Sequence, residues 1–284
     1  MSCNATLPED QPDGAKARVT ALYSAGAVAE RLTWLGHSTV LLELSGTRLL
    51  TDPVLGSRVM HLRRRAPEPA DPGALDAVLI SHAHRDHLDL PSLRRLDPGA
   101  TVVSALGTAR WLRRLGRAVV ELSPGDEVQI GGVAVRAVPA VHSGRRAPMA
   151  TRAGAVGFVV EGKRRVYFAG DTELFPGMAD LAEALDVALV PVSGWGPSLG
   201  AGHMDPAEAA EAIAMLRPGL VVPIHWGTFL PLGLGRRLAH LLRDPPREFA
   251  AHVAARAPAT HVAILAPGAP LELGDANTAD SGPS

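Results

Sequence analysis

The stretch "SHAHRDHLD" (81–89) places three histidines and two aspartates in nine consecutive positions. It follows directly on "DAVLI" (76–80), a short apolar run that reads as a buried strand. A fold that accepts this segment has to end a strand at a sheet edge, in a loop that exposes polar groups without breaking the core. In His82-Ala83-His84 the imidazoles are two positions apart, so an extended backbone points both to one side. Asp86 and His87 are adjacent, and a turn there sends them toward a second centre nearby. A solvated polar loop is the competing explanation. Four ligand-competent side chains between positions 82 and 87 favour a metal site over it.

Three further positions share this context. "AVPAVHSG" puts His142 at the end of an apolar run, "VYFAGDT" does the same for Asp171, and "VVPIHWG" for His225. Gly170 allows close backbone approach before Asp171. A lone histidine of this kind is more often a hydrogen-bonded structural residue, but three such endings beside the cluster reverse that expectation.

Bulk properties narrow the classes. The 284 residues are 46% hydrophobic and 20% charged, ordinary globular values with ample apolar content for a core. A formal charge of −1 gives no bulk attraction to nucleic acid or an acidic membrane surface. The single cysteine, Cys3, rules out a disulfide within the chain and a thiolate metal cluster. The N-terminal residues carry acids and prolines where a signal peptide needs an apolar stretch, and no apolar segment approaches the roughly 18 residues of a spanning helix. The expectation is a cytoplasmic protein, with homo-oligomerisation left open. Residues 1–28 read as a loose arm, 29–274 as one domain and 275–284 as a flexible tail.

Within the domain, "RLTWLGHSTVLLELSGTRLLTDP" (31–53) predicts three strands broken at Gly36 and Gly46. "DAVLI", "TVVSA", "AVVEL", "DEVQI" and "VAVRAVPAV" predict further strands, with short helices at 90–96 and 107–116. In the second half, strands are expected around the turn of "AVGFVVEGKRRVYFAGD" and at "DVALVPV", "LVVPIH" and "HVAILAPG". Helices are expected at 177–185, 205–219, 235–242 and 246–257. The helix at 205–219 has its own start signal: Asp205 as N-cap, Pro206 next and Glu208 three on from the cap. Hairpins alternating with single helices, twice over, argue for two stacked mixed sheets with helices outside, an α/β class.

The order His-x-His-x-Asp-His, then His, Asp and His, resembles the metallo-β-lactamase fold superfamily, and all seven positions match it. The likeness runs from about Trp34 to Gly268. "WLGHST", "LLTDP", "ISHAHRDHLD", "FAGDT", "GHMDPAEA" and "IHWGTF" resemble the branch of N-acylphosphatidylethanolamine-hydrolysing phospholipase D, and more distantly ascorbate-6-phosphate lactonase. The resemblance implies a four-layer αβ/βα sandwich with a dinuclear site at one edge. His82, His84 and His142 would hold one metal, Asp86, His87 and His225 the other, and Asp171 would bridge them. It also implies that His203, in "GAGHMDP", lines the active site, as an acid or substrate-orienting donor acting alongside Asp86. A cap-side structural histidine is the alternative for His203.

The nitrogen and oxygen donor set suits two Zn²⁺ ions and is compatible with Mn²⁺ or Fe²⁺. Two ions about 3.5–4 Å apart can hold a bridging hydroxide as nucleophile. His37 in "LGHST" and Asp52 in "TDP" read as groups that orient ligands, with a structural turn role close behind. Arg145 and Arg146 stand three and four positions past His142, where two guanidiniums could fork onto a phosphate, and Trp195 could wall a pocket. Arg63 to Arg65 form a second basic cluster on a loop, with a solvated loop as the alternative. His61, His240, His252 and His261 have no partner pattern. The reading that follows is a metallo-hydrolase acting on a phosphodiester such as an N-acylphosphatidylethanolamine-like phospholipid, or on a small lactone. Nuclease action is disfavoured by the 225 − 171 = 54 positions between the late ligands, too few for a large inserted domain. A non-catalytic metal-binding protein is the remaining alternative.

Overall fold

The computed structural model describes residues 30–143, 153–181, 183–194, 196 and 199–274. The expected arm and tail therefore lie outside the described residues. The chain opens with the antiparallel strands β1 (Arg31–Gly36), β2 (Thr39–Leu44) and β3 (Thr47–Thr51), followed by the short hairpin β4 (Arg58–Val59) and β5 (Leu62–Arg64). Next come β6 (Ala77–Ile80), α1 (Leu90–Arg95), β7 (Thr101–Ala105), α2 (Ala109–Leu112) and β8 (Val119–Leu122). The second half runs β9 (Glu127–Ile130), β10 (Val133–Pro139), β11 (Val156–Glu161), β12 (Arg165–Phe168), β13 (Val187–Pro191), α3 (Pro206–Leu216), β14 (Leu220–Ile224), β15 (Phe229–Pro231), α4 (Asp244–Arg256), β16 (His261–Val262) and β17 (Pro270–Glu272).

Two seven-stranded sheets result, in the orders β17-β1-β2-β3-β6-β7-β8 and β16-β14-β13-β12-β11-β10-β9. Each is antiparallel over one half and parallel over the other: β3, β6, β7 and β8 run parallel in the first, β12, β13, β14 and β16 in the second. The strand sequences explain the layering. Ala77 and Leu79 of β6, like Val187 and Leu189 of β13, face the space between the sheets, where they meet Phe158 and Phe168. The alternate residues Val78 and Ile80 pack outward with Leu93 of α1 and Leu112 of α2. On the other side Ala188 and Val190 pack with Ile213 of α3 and Phe249 of α4. Because both faces are covered, β6 and β13 are buried throughout and read as unbroken apolar runs. The expected four-layer αβ/βα sandwich is the fold observed.

Several element expectations need correction. Among the described residues of 177–185, a 3-10 segment, Pro176–Asp180, forms in place of the expected helix. Ala184 takes φ +48°, and the Leu185 carbonyl accepts from Gly219 N, which draws the segment into the sheet edge rather than onward as a helix. Likewise 235–242 yields only the 3-10 turn Ala239–Leu242. The strand expected at 261–268 stops at Val262, and β17, which pairs with β1, is an addition to the expected strands. The basic stretch Arg63–Arg65 is not a loop, since Arg64 lies in β5 of a small third sheet, β15-β5-β4. Arg64 is buried, its guanidinium donating to the carbonyls of Val54 and Gly56 and lying 4.9 Å over Phe229, and burial pushes its pKa down to about 10. The start of α3 is as expected: the Asp205 carboxylate accepts from Ala207 N and Glu208 N, and Glu208 accepts in return from Asp205 N.

Candidate metal centre

Parallel strands deliver their C-terminal ends to a common edge, the usual location of sites in such sheets. Asp52 follows β3, Ser81–His87 follow β6, Asp171 comes shortly after β12, Ser193 shortly after β13, and His225 follows β14. His142 follows β10, and His203 precedes α3. The seven residues expected to hold metal converge. Ligand-competent atoms of His82, His84, His142 and Asp171 lie within 4.8 Å of one another, as do those of His37, Asp86, His87 and His225. Asp171 sits between the groups: its Oδ2 is 3.8 Å from His82 Nε2 and 3.1 Å from His87 Nε2, and its Oδ1 is 3.3 Å from His225 Nε2. Gly170 makes this approach possible, because an added Cβ would lie 2.6 Å from the Ser81 Cβ.

The hydrogen bonds behind the cluster fix which ring nitrogen faces inward. His142 Nδ1 donates to the Gly202 carbonyl at 2.8 Å, and His225 Nδ1 to the Ser193 carbonyl at 2.8 Å. His87 Nδ1 donates to Asp52 Oδ2 at 2.7 Å. Ser81 Oγ gives its proton to Asp52 Oδ2 at 2.5 Å and so accepts from His82 Nδ1 at 2.9 Å. In the neutral tautomers these bonds set, the Nε2 atoms of His82, His142 and His225 are lone pairs directed into the cluster. His82 Nε2 and His142 Nε2 each lie 3.0 Å from His84 Nδ1, whose one N–H can satisfy only one of them. Oδ1 of buried Asp171 has no hydrogen bond among the described residues, since His225 has already given its N–H to Ser193. Facing lone pairs and a buried carboxylate oxygen without a donor are costly unless cations lie between them. The donor set therefore fits divalent metal.

Electrostatics agree with this. Burial pushes the pKa of His225 down to about 3 and lowers His82, His84 and His142 as well, so these rings favour the neutral, ligating form. Burial also works against the Asp171 carboxylate, but the surrounding histidines outweigh it, His87 and His203 through hydrogen bonds, and its pKa lies well below the usual carboxylate range. Asp86 is held well below the usual carboxylate range in the same way, against burial, chiefly by His37, whose Nε2 is 3.3 Å from Oδ2. His203 Nδ1 donates to the Gly200 carbonyl at 3.0 Å, and its Nε2 faces Asp171 Oδ2 at 3.4 Å. Although burial opposes it, that contact raises the His203 pKa.

The two groups expected to orient ligands both touch the cluster. Asp52 holds His87, and His37 holds Asp86 while its ring lies 4.0 Å from that of His225. Neither is legible as strained from sequence, yet His37, Asp52 and His225 have φ of +53°, +31° and +62°, a region non-glycine residues rarely adopt. Arg145, Arg146 and Trp195 lie outside the described residues. His61, His240, His252 and His261 do not join the cluster.

Glu173 is a residue that sequence reasoning missed. Its Oε1 accepts from Gly202 N at 2.6 Å, pinning the residue whose carbonyl orients His142 and which leads into His203. Together with His142 and Gly202 it lines a cavity of about 380 Å³ beside the cluster. The sequence signal is its place two positions after Asp171, on the same side of an extended segment.

A four-layer sandwich carrying a His/Asp cluster on the edge of its parallel strands is the hallmark of metallo-β-lactamase-fold proteins. The chain belongs to that superfamily: the family model described as "Beta-lactamase superfamily domain" matches residues 47–226. A UPF0173 metal-dependent hydrolase of Methanopyrus kandleri is 32% identical over 85% of this chain and 99% of that one. N-acyl-phosphatidylethanolamine-hydrolyzing phospholipase D 1 of Caenorhabditis elegans is 31% identical over 71% of this chain and 64% of the relative. Igni18, a metallo hydrolase from Ignicoccus hospitalis, superposes with a TM-score of 0.65 at 27% identity, covering 86% of this chain and 98% of that one. The chain spans 61% of the length of the mycobacterial relatives that it matches at 35% identity. Among the described residues, no helix is long and apolar enough to cross a membrane.

Proposed function

We propose that this protein is a metal-dependent hydrolase that holds two zinc ions and cleaves a phosphodiester of the N-acylphosphatidylethanolamine type. The observation that carries the reading is the set of inward Nε2 lone pairs around Asp171 Oδ1, a buried atom without a donor among the described residues. The likeness to a metal-dependent hydrolase and to a phospholipase D supports the reaction class. Bound divalent ions supply Lewis-acid activation of water and neutralise charge developing on the substrate.

In this proposal His82, His84 and His142 hold one ion, Asp86, His87 and His225 the other, and Asp171 serves both. The chain's other groups prepare the site. Asp52 and the carbonyls of Gly202 and Ser193 keep the rings in the ligating tautomer. His203, with Nδ1 committed to Gly200, keeps a proton at Nε2 and gives it to the leaving group. The small cavity beside His142 receives the substrate's nonreacting part.

The test is turnover of bis-p-nitrophenyl phosphate, N-acylphosphatidylethanolamine and a lactone panel by zinc-loaded protein, before and after chelation. Phosphodiester turnover that is lost on chelation and in His84→Ala is expected. Lactone turnover in its place would reassign the substrate, and full activity of metal-free protein would end the proposal.

A further inference from the structure

A net charge of −1 conceals a local imbalance. Away from the His/Asp cluster, a cavity of about 550 Å³ is lined by Arg65, Arg236, Leu230, Ala239, Leu242 and the glycines 233 and 235. No acidic residue lines it, and among the described residues neither arginine forms an ion pair. The two guanidiniums come from separate elements: Arg65 follows β5, and Arg236 lies in the loop after β15. They are brought together because the loop packs back on the small sheet. Arg65 lies so close to Gly235 that an added Cβ there would be 2.7 Å from Nη2. Leu232 N donates to the His61 carbonyl at 2.9 Å, which ties the start of the loop to the β4–β5 hairpin.

Around the cavity the surface is unusually apolar for exposed positions. Met60, Leu232 and Leu234 are 47%, 44% and 38% exposed, three of the seven large hydrophobic side chains exposed among the described residues. Arg58 and Arg63, paired across β4 and β5, add two more exposed cations. Like charges gathered in a cavity that no carboxylate lines repel one another, and exposed leucines gain nothing from water. One kind of molecule relieves both: an anion attached to a hydrocarbon body.

We propose that this cavity is a binding site for an amphiphilic anion, a phosphate or carboxylate held by Arg65 and Arg236 with its hydrocarbon chain on Leu230, Ala239 and Leu242. Forked guanidinium contacts suit either head group. The same chemistry is offered by a free amphiphile and by the head group of an anionic bilayer lipid. The site shares no residue with the metal cluster, so it stands or falls separately from the hydrolase reading.

The experiment measures binding to zinc-loaded protein in three arms: decyl phosphate below its micelle concentration, inorganic phosphate, and phosphatidylglycerol vesicles against phosphatidylcholine vesicles. Saturable binding of decyl phosphate, at least about tenfold tighter than inorganic phosphate, is expected. Arg65→Gln/Arg236→Gln should weaken it by about tenfold or more, and Ala239→Phe, which fills the floor and keeps both charges, should weaken it too. Binding to phosphatidylglycerol vesicles that falls in the same variants would support the bilayer as source, while binding of decyl phosphate alone would support the free amphiphile. No binding in any arm, equal affinity for inorganic phosphate, or binding unchanged in both variants would overturn the proposal.

Discussion

Asp52 Oδ2 accepts from His87 Nδ1 at 2.7 Å and from Ser81 Oγ at 2.5 Å, while Oδ1 accepts from Ser81 N at 2.7 Å. One buried carboxylate thus orients two imidazoles, His87 directly and His82 through the Ser81 hydroxyl. Asp52→Ala removes both supports and should weaken metal binding about 10–100-fold. A competition titration with a chromophoric chelator reads this directly. Unchanged affinity would show that Asp52 serves the turn alone.

His87 gives a prediction about protons. Burial favours its neutral form, but Asp171 and Asp52 outweigh burial and raise its pKa well above the ordinary histidine value. At pH 7 the metal-free protein therefore carries a proton at Nε2, which faces Asp171 at 3.1 Å. Coordination needs a neutral ring, so binding at that centre should release about one proton, and affinity should rise with pH until the group is deprotonated. Calorimetry at pH 7 in buffers of different ionisation enthalpy measures the release. Enthalpies independent of buffer would contradict the assignment.

Glu173 provides a third case. Glu173→Ala frees Gly202, the residue that sets both His142 and the approach to His203. About a tenfold loss in kcat with a small change in KM is expected, since a displaced catalytic group costs transition-state stabilisation. Glu173→Gln, which keeps an accepting Oε1, should restore most of it. The visible spectrum of the cobalt-substituted protein should also shift in Glu173→Ala, because one ring support has moved. A uniform loss in both variants with an unchanged spectrum would refute the positioning role.

The ligands are legible in the sequence because apolar runs lead into them, so that strand ends and chemistry lie close together after Ile80, Phe168 and Ile224. Their orienting partners are less visible. Asp52 is marked by its side chain, but the acceptors for His142 and His225 are backbone carbonyls of Gly202 and Ser193, which no residue type announces. The small sheet escapes sequence reading because β4 and β5 are two and three residues long and rich in arginine. Arg64 satisfies its donors on the carbonyls of nearby Gly56 and of Leu35 in β1, a tertiary solution that local pattern does not encode. The segment 177–185 has good helix formers, but packing overrides them: Met178, Leu181 and Leu185 are all buried in the outer core of the second sheet.

Asp205 supplies a stability prediction. Its carboxylate satisfies two orphan N–H groups at the start of α3 within a reciprocal capping box. Asp205→Ala should cost about 1 kcal/mol, read as a lower denaturant midpoint with an unchanged slope. An unchanged midpoint would mean that water replaces the cap without loss.

The central claim is that the seven converging side chains hold a pair of metal ions. Elemental analysis of protein loaded with zinc and freed of loose metal tests it most directly. The account predicts about two equivalents per chain in the parent and about one in His84→Ala or His225→Ala, each variant having lost one centre. One equivalent or fewer in the parent, or two retained in both variants, would contradict it.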